Sequence, residues 1–140
     1  MAALVKRANI DNDYHYEPPL CVGFGISDKT VGNPKLTMGH TIVPPGGRNQ
    51  AHYHQNAAAG LFMKKGSLRL FLGPKDSVEE FIFGEGEFLY LEPGEIHGLI
   101  NLSDTENAEI IFTYSGVPSK DAAGTTFVEP VWQEAMVEEA

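Results

Sequence analysis

The sequence has little of three things that would place it in a specialised class: cysteine, basic side chains and long apolar runs. Its single cysteine, Cys21, excludes an internal disulfide framework. Ten Lys and Arg residues against 19 Asp and Glu residues give a formal net charge of −9, which argues against nucleic acid or an anionic membrane surface as a partner. No apolar stretch reaches the length of a membrane span, and residues 1–7 lack the pattern of a secretory signal, so we expect a cytoplasmic protein.

Turn-forming residues, in contrast, are frequent. The chain of 140 residues contains 15 Gly and 9 Pro, which separate short apolar runs at close intervals. The length fits a single domain, and the pattern predicts an all-β fold of about eight antiparallel strands in a sandwich or barrel. We divide the chain into an N-terminal arm or edge strand at 1–20, a barrel at 21–130, and a tail or short helix at 131–140.

Two stretches give the clearest strand patterns. Residues 36–43 alternate, which places His40 on the same face as Met38 and Ile42, and we expect this apolar face to line the interior. Residues 61–63 and 68–72 flank the turn sequence Lys64-Lys65-Gly66-Ser67, which predicts a β-hairpin.

Three histidines form the most informative pattern in the sequence. His52 and His54 are two residues apart, so on a strand both side chains point to the same face. His97 follows a Pro93-Gly94 turn, and a strand that brings it alongside places three imidazoles around one point. Neutral imidazoles in this arrangement favour a divalent transition metal. No Asp or Glu follows His54 until Glu79, so no nearby carboxylate completes the ligand set.

The segment around the first two histidines resembles the first motif of the cupin superfamily. That motif has a glycine, five residues, His-x-His, a glutamate three or four residues later, and a closing glycine. Here Gly46, His52, His54 and Gly66 are in register. The glutamate position falls at residue 59, or at 58 with the shorter gap, and both residues are alanine.

The second cupin motif is matched around the third histidine. It runs from a glycine through a proline and a second glycine to a histidine and an asparagine. Here Gly86, Gly94, His97 and Asn101 are in register, and the proline is displaced by one place to Pro93. The chain is thus similar to a single-domain cupin whose three-histidine motif lacks the usual glutamate.

The resemblance implies a cupin-type jelly-roll barrel with a metal inside its mouth. His52, His54 and His97 are the implied ligands, and Fe, Mn, Ni or Zn are the implied ions. The missing carboxylate leaves two interpretations open. The site is either a three-histidine centre with open positions for substrate or a barrel that has lost its metal and kept the pocket.

Seven further residues are candidates for roles in the pocket. We expect His40 or Tyr90 to move protons there. The predicted pocket residues are Phe62, Arg69, Asn101 and Phe112, and Tyr114 is a further candidate by alternation. Core packing is the competing interpretation for the aromatic residues, and a solvated surface position is the competing interpretation for Arg69. Asn101 either lines the pocket or ties strands together through hydrogen bonds.

The leading hypothesis is an enzyme that acts on a small molecule with a mononuclear metal. Its chemistry would be dioxygenase-like, or Lewis-acid chemistry on an oxygen-bearing substrate. A non-enzymatic cupin that binds or senses a small ligand is the alternative, and a sugar isomerase or epimerase is a lesser one. Because an unpaired strand edge is a liability in a small barrel, we also predict a homodimer.

Overall fold

Strands make up most of the regular structure in the residues that the computed structural model describes, 2–13 and 20–128. The strands are β1 (Asn12–Asp13), β2 (Cys21–Ile26), β3 (Leu36–Val43), β4 (His52–His54), β5 (Ala59–Lys65), β6 (Ser67–Leu72), β7 (Glu79–Gly84), β8 (Phe88–Leu91), β9 (His97–Ile100), β10 (Ala108–Ser115) and β11 (Thr125–Phe127). Helix α1 spans Asp28–Val31, and single turns of 3-10 helix span Arg7–Asn9 and Lys75–Ser77.

These strands form two antiparallel sheets. The six-stranded sheet has the order β1-β2-β3-β10-β5-β8, and the five-stranded sheet has the order β11-β4-β9-β6-β7. The main core lies between them, because buried side chains of both sheets belong to one cluster: Met63 and Ile110 from the first, Leu70 and Leu99 from the second. The predicted all-β fold in a single small domain is confirmed.

The chain between β5 and β6 turns a corner instead of forming the predicted hairpin. β5 pairs with β8 and β10 in one sheet, whereas β6 pairs with β7 and β9 in the other. Gly66 has a φ of +76°, and a Cβ at this position would lie 2.8 Å from the backbone oxygen of Asn107. The hairpin prediction was wrong because a turn sequence specifies a reversal of the chain but does not specify which strand pairs next.

The inner face of β3 carries small side chains, contrary to expectation. Gly39 and Val43 are buried, whereas Met38 on the other face is 38% exposed. A Cβ at Gly39 would lie 2.4 Å from the ring of Phe112, so only glycine leaves room for that ring. His40 faces outward with Met38, and the prediction that places it in the interior is wrong. Alternation defines which residues share a face but leaves open which face is buried.

The N-terminal segment contributes a short edge strand. β1 pairs with β2 through Asn12 opposite Gly23 and Asp13 opposite Val22. The predicted tail or short helix at 131–140 lies outside the described residues. In the part of the chain that is described, no helix is both long enough and apolar enough to cross a membrane.

Candidate metal centre

β4 and β9 bring the three predicted histidines together. His52 and His54 occupy alternate positions of β4, and His97 is the direct cross-strand partner of His52. The ring centroids are 4.3 Å apart for His52 and His97, 5.0 Å for His52 and His54, and 5.2 Å for His54 and His97. One nitrogen of each ring lies within 4.8 Å of the other two. The predicted convergence of the three imidazoles is confirmed.

Two of the imidazoles are oriented by a backbone carbonyl two residues earlier in the chain. Nδ1 of His52 donates to the oxygen of Gln50 at 2.8 Å, and Nδ1 of His97 donates to the oxygen of Glu95 at 2.9 Å. Because a carbonyl oxygen only accepts, both rings carry their proton on Nδ1 and present a lone pair at Nε2. Hydrogen bonds of this kind fix the tautomer and the orientation of histidines that bind metals.

The third imidazole has a side-chain partner. Nδ1 of His54 is 2.9 Å from the hydroxyl oxygen of Thr125, its cross-strand neighbour on β11. The ring of Tyr114 packs against the same imidazole with 4.6 Å between ring centroids. Both contacts leave Nε2 of His54 as the nitrogen available to a ligand.

Burial keeps all three imidazoles neutral at physiological pH. Desolvation lowers the pKa of His52, although its hydrogen bond to a carbonyl opposes this. Burial, followed by charge repulsion from His52, lowers the pKa of His54 to about 4. Burial and repulsion from His52 also hold the pKa of His97 well below its ordinary value. The neutral ring is the form that binds a metal, so these donors fit a divalent transition metal. Within residues 2–13 and 20–128, no Asp or Glu joins the cluster.

The histidines line a cavity of about 380 Å³ between the two sheets. Most of its wall is apolar, which lowers the local dielectric constant and strengthens any polar contact made inside. The apolar lining residues are Leu20, Val22, Val43, Ala59, Leu61, Leu99, Ile110, Phe112 and Phe127. Thr41, Asn49, Tyr114 and Thr125 supply neutral polar groups.

Fixed charge in the described wall of the cavity comes from Lys120 and Asp121. Nζ of Lys120 donates to a carboxylate oxygen of Asp13 at 2.5 Å and lies 5.7 Å from the ring centroid of Phe24. This ion pair ties the segment after β10 to β1. Because Asp13 opposes the lysine charge and Asp121 adds a second negative charge, these groups do not attract an anionic substrate.

The two residues predicted to move protons lie outside the cavity. His40, on the outer face of β3, has its Nε2 2.8 Å from Oε1 of Glu109. The hydrogen bond from His40, followed by the positive charge of Lys64, lowers the pKa of Glu109. Tyr90 is 65% exposed on β8, whereas the next residue, Leu91, is buried.

Of the four predicted pocket residues, Phe112 lines the cavity, whereas the described wall does not include the other three. Phe62 faces outward and packs against Phe88, with 4.8 Å between ring centroids and a tilt of 42° between the rings. Arg69 donates through Nη1 to a carboxylate oxygen of Glu80 at 2.7 Å on the outer side of β6. The reason is the same as for His40: alternation shows which residues of a strand share a face but not which face is buried. On both strands the neighbouring residues occupy the inner face.

Asn101 ties strands together, which is one of the two roles that the sequence left open. Its side chain is 1% exposed. Nδ2 donates to the backbone oxygens of Val43 at 3.1 Å and Glu106 at 2.8 Å, and Oδ1 accepts from the backbone N–H of Ser103 at 3.0 Å. These bonds hold the start of the β9–β10 connection against the end of β3.

One part of the site was missing from the predicted set. β11 supplies Thr125 and Phe127, and its sequence Thr125-Thr126-Phe127 consists of the β-branched and aromatic residues that favour strands. Tyr114, a candidate by alternation, lines the cavity on the same face of β10 as Phe112.

Comparison with known families agrees with the two motifs. The family model described as a cupin domain matches residues 39–114, which is more than half of the chain and includes all three histidines. The chain belongs to the cupin domain family. The sequence resemblance is thereby confirmed, and the two-sheet barrel is a cupin jelly roll. Comparison with curated proteins gives no match.

Solved structures share this cupin fold at low sequence identity. A variant of oxalate decarboxylase from Bacillus subtilis has a TM-score of 0.72 and 16% identity, over 99% of this chain and 38% of that chain. A second structure of the same enzyme, from a study of its Mn(II) centres, has the same TM-score, identity and coverage. Peruvianin-I, a cysteine peptidase from Thevetia peruviana latex, has a TM-score of 0.62 and 21% identity, over 78% of this chain and 66% of that chain. The cupin domain described here therefore spans well under half of the length of oxalate decarboxylase.

Proposed function

We propose that this cupin domain is a metal-dependent enzyme that acts on an oxygen-bearing small molecule. The observation that carries the proposal is the convergence of three neutral imidazoles, with their ring nitrogens within 4.8 Å, in the wall of an apolar cavity. His52, His54 and His97 would bind a divalent transition metal through Nε2. The Mn(II) centres named for the structurally similar oxalate decarboxylase support this choice of cofactor class.

The residues around the proposed centre prepare it before a substrate arrives. The carbonyls of Gln50 and Glu95 and the hydroxyl of Thr125 hold the three rings in place through their Nδ1 atoms. A bound divalent ion supplies Lewis acidity toward oxygen donors, and a redox-active ion supplies dioxygen chemistry as well. Three neutral ligands leave the full positive charge of the ion in place, which favours an anionic oxygen donor such as an enolate or a carboxylate.

The cavity wall favours a substrate with an apolar body. Leu61, Ile110 and Phe112 offer apolar surface next to the histidines. A small dianion such as oxalate lacks such a body and needs several cations, and in the described wall the only side chain with a fixed positive charge is Lys120, which is paired with Asp13. We therefore propose a dioxygenase-like or Lewis-acid reaction on a larger, apolar, oxygen-bearing molecule.

The metal content of the native protein tests the proposal. We expect untagged wild-type protein to purify with close to one Fe, Mn, Ni or Zn per chain, and His97→Ala to lose it. His40→Ala is the matched control, because His40 lies on the outer face and its loss leaves the three ligands intact. Negligible metal in wild-type protein, or equal metal in wild type and His97→Ala, contradicts the proposal.

A second candidate function is the binding or sensing of a small ligand without turnover. It is favoured by the composition of the histidine cluster, which no Asp or Glu joins within the described residues. Oxygen uptake by the metal-loaded protein with diketone and phenolic acid substrates separates the two functions. Turnover supports the enzyme, and tight retention without turnover supports the binding protein. The apolar wall gives the sugar isomerase alternative little support.

We also propose that two copies of the chain associate. Two edge strands, β8 and β7, carry exposed apolar side chains, among them Phe88 at 82% and Ile82 at 56% exposure. Exposed apolar edges favour pairing with another chain. Sedimentation at micromolar concentration is expected to show a dimer, and a monomer contradicts this.

A further inference from the structure

A small residue and a large aromatic one face each other across the cavity wall of the six-stranded sheet. Ala59 on β5 is the direct cross-strand partner of Tyr114 on β10, and both line the cavity with the histidines. Side chains at such paired positions have Cβ atoms about 4.5–5.5 Å apart. A side chain longer than alanine at residue 59 must therefore enter the space beside the tyrosine ring.

The tyrosine ring is held by other rings. Phe24 packs edge-on against Phe112 with centroids 5.6 Å apart, Phe112 packs against Tyr114 at 5.1 Å, and Tyr114 packs against His54 at 4.6 Å. Phe112 itself is 6% exposed. The series gives Tyr114 little freedom to swing away from His54, because each ring is confined by the next.

The same wall bears on the absence of a carboxylate from the histidine cluster. Ala59 and Tyr114 line the cavity at paired positions, and the ring of Tyr114 packs against His54. Alanine and tyrosine thus complement each other in size at this pair. Within the described residues, the three imidazoles form the whole cluster of candidate ligands.

We propose that Tyr114 is a positioning residue of the metal centre. Its ring fixes the orientation of His54 and excludes a fourth protein ligand from the side of Ala59, so the open positions of the metal remain available to the substrate. This inference rests on the proposed metal-dependent function. It assigns the role to the ring of Tyr114 and not to its hydroxyl group.

Metal affinity in single variants tests the contact with His54. Tyr114→Ala is expected to weaken Zn²⁺ binding roughly 10-fold, the lower end of what the loss of a supporting partner costs, and Tyr114→Phe is expected to bind like wild type. Ile110→Ala is the matched control, because it removes a buried side chain from the same cavity and the same face of β10. Equal Zn²⁺ affinity in Tyr114→Ala and Ile110→Ala overturns the positioning role.

The exclusion of a fourth ligand is tested by adding one. Ala59→Glu alone is expected to bind Zn²⁺ no more tightly than wild type. Ala59→Glu with Tyr114→Ala is expected to bind about 10-fold or more tightly than Tyr114→Ala, and its Co²⁺ absorption spectrum is expected to indicate a higher coordination number. If Ala59→Glu alone binds Zn²⁺ more tightly than wild type and changes the Co²⁺ spectrum, Tyr114 does not exclude a fourth protein ligand.

The possible results distinguish a failure of this inference from a failure of the proposed function. Wild-type protein that binds neither Zn²⁺ nor Co²⁺ contradicts the metal centre itself. Wild-type protein that binds both, with Tyr114 variants that behave like the control, contradicts only the role of Tyr114. The imidazole NMR signals of the zinc-loaded protein decide the positioning role even should Ala59→Glu fail to fold. Those of His54 are expected to shift and broaden in Tyr114→Ala and to stay unchanged in Tyr114→Phe, and unchanged signals in both variants overturn the inference.

Discussion

Among the described residues, histidine occurs in two contrasting environments on the faces of this barrel. Inside, His52, His54 and His97 are buried, neutral and close together, and within the described residues no carboxylate joins them. Outside, His40 is partly exposed and paired with Glu109. Burial without a counter-charge favours the neutral ring, which binds a cation, whereas a carboxylate beside a partly exposed ring gives an ordinary surface hydrogen bond. The role of each histidine thus follows from the face of the strand on which it lies.

The largest expected difference between the two faces is in the loss of stability when an aromatic side chain is removed. Phe112 is 6% exposed and packs against Phe24 and Tyr114, whereas Phe88 is 82% exposed. Phe112→Ala should lower the free energy of unfolding by about 3–5 kcal/mol, because it removes buried apolar surface and leaves a cavity. Phe88→Ala should change it by less than about 0.5 kcal/mol in the isolated chain. Urea unfolding measures both, and comparable losses would show that the outer face is covered in solution.

The next largest effect concerns the partner of His54. Thr125→Val keeps the shape of the side chain but removes the hydroxyl group 2.9 Å from Nδ1. We expect Zn²⁺ affinity to fall about 10-fold, as it does when a supporting hydrogen bond to a metal ligand is lost. Thr126→Val is the control, because Thr126 is exposed on the opposite face of the same strand. Zn²⁺ affinity is measured by calorimetry. Equal affinities of the two variants would show that Thr125 does not support His54.

Acid should destabilise the metal-free protein through the inner histidines. Burial lowers the folded-state pKa of His54 from 6.5 to about 4. Between these values the unfolded chain binds more protons than the folded one, so stability that is present above pH 6.5 is lost as the pH falls toward 4. His54 alone should cost about 1 kcal/mol between about pH 7 and pH 5.5, and His52 and His97 should act in the same direction. Urea unfolding with a chelator present measures the slope, which His54→Gln should reduce. An identical slope in that variant argues against a buried, neutral His54.

The smallest effect is expected on the outer face. The side chains of His40 and Glu109 are 18% and 20% exposed, and solvent screens their attraction. A double-mutant cycle with His40→Ala and Glu109→Ala should give a coupling of about 0.2–1 kcal/mol, which falls as salt is added. A coupling above about 2 kcal/mol, insensitive to salt, would mean that the outer pair is as sequestered as the inner cluster.

The sequence was sufficient to predict the inner cluster but not the faces of the strands around it. Spacing alone indicates that His52 and His54 share a face, and the two motifs place His97 beside them. For β3, β5 and β6 the outer face also carries large or apolar side chains, such as Met38 and Phe62, so apolar content does not identify the buried side. The inner face of β3 is recognisable only once the ring of Phe112 is seen to fill the space over Gly39.

The hydrogen bonds that orient the three rings have a consequence for the order in which the protein is assembled. His52 and His97 are each oriented by the carbonyl two residues before them, so each ring is ready as soon as its own strand forms. His54 depends on Thr125, which is 71 residues further along the chain. The third ring of the proposed centre is therefore fixed only once β11 has paired with β4. A metal held tightly by all three rings would mark a barrel that has already closed.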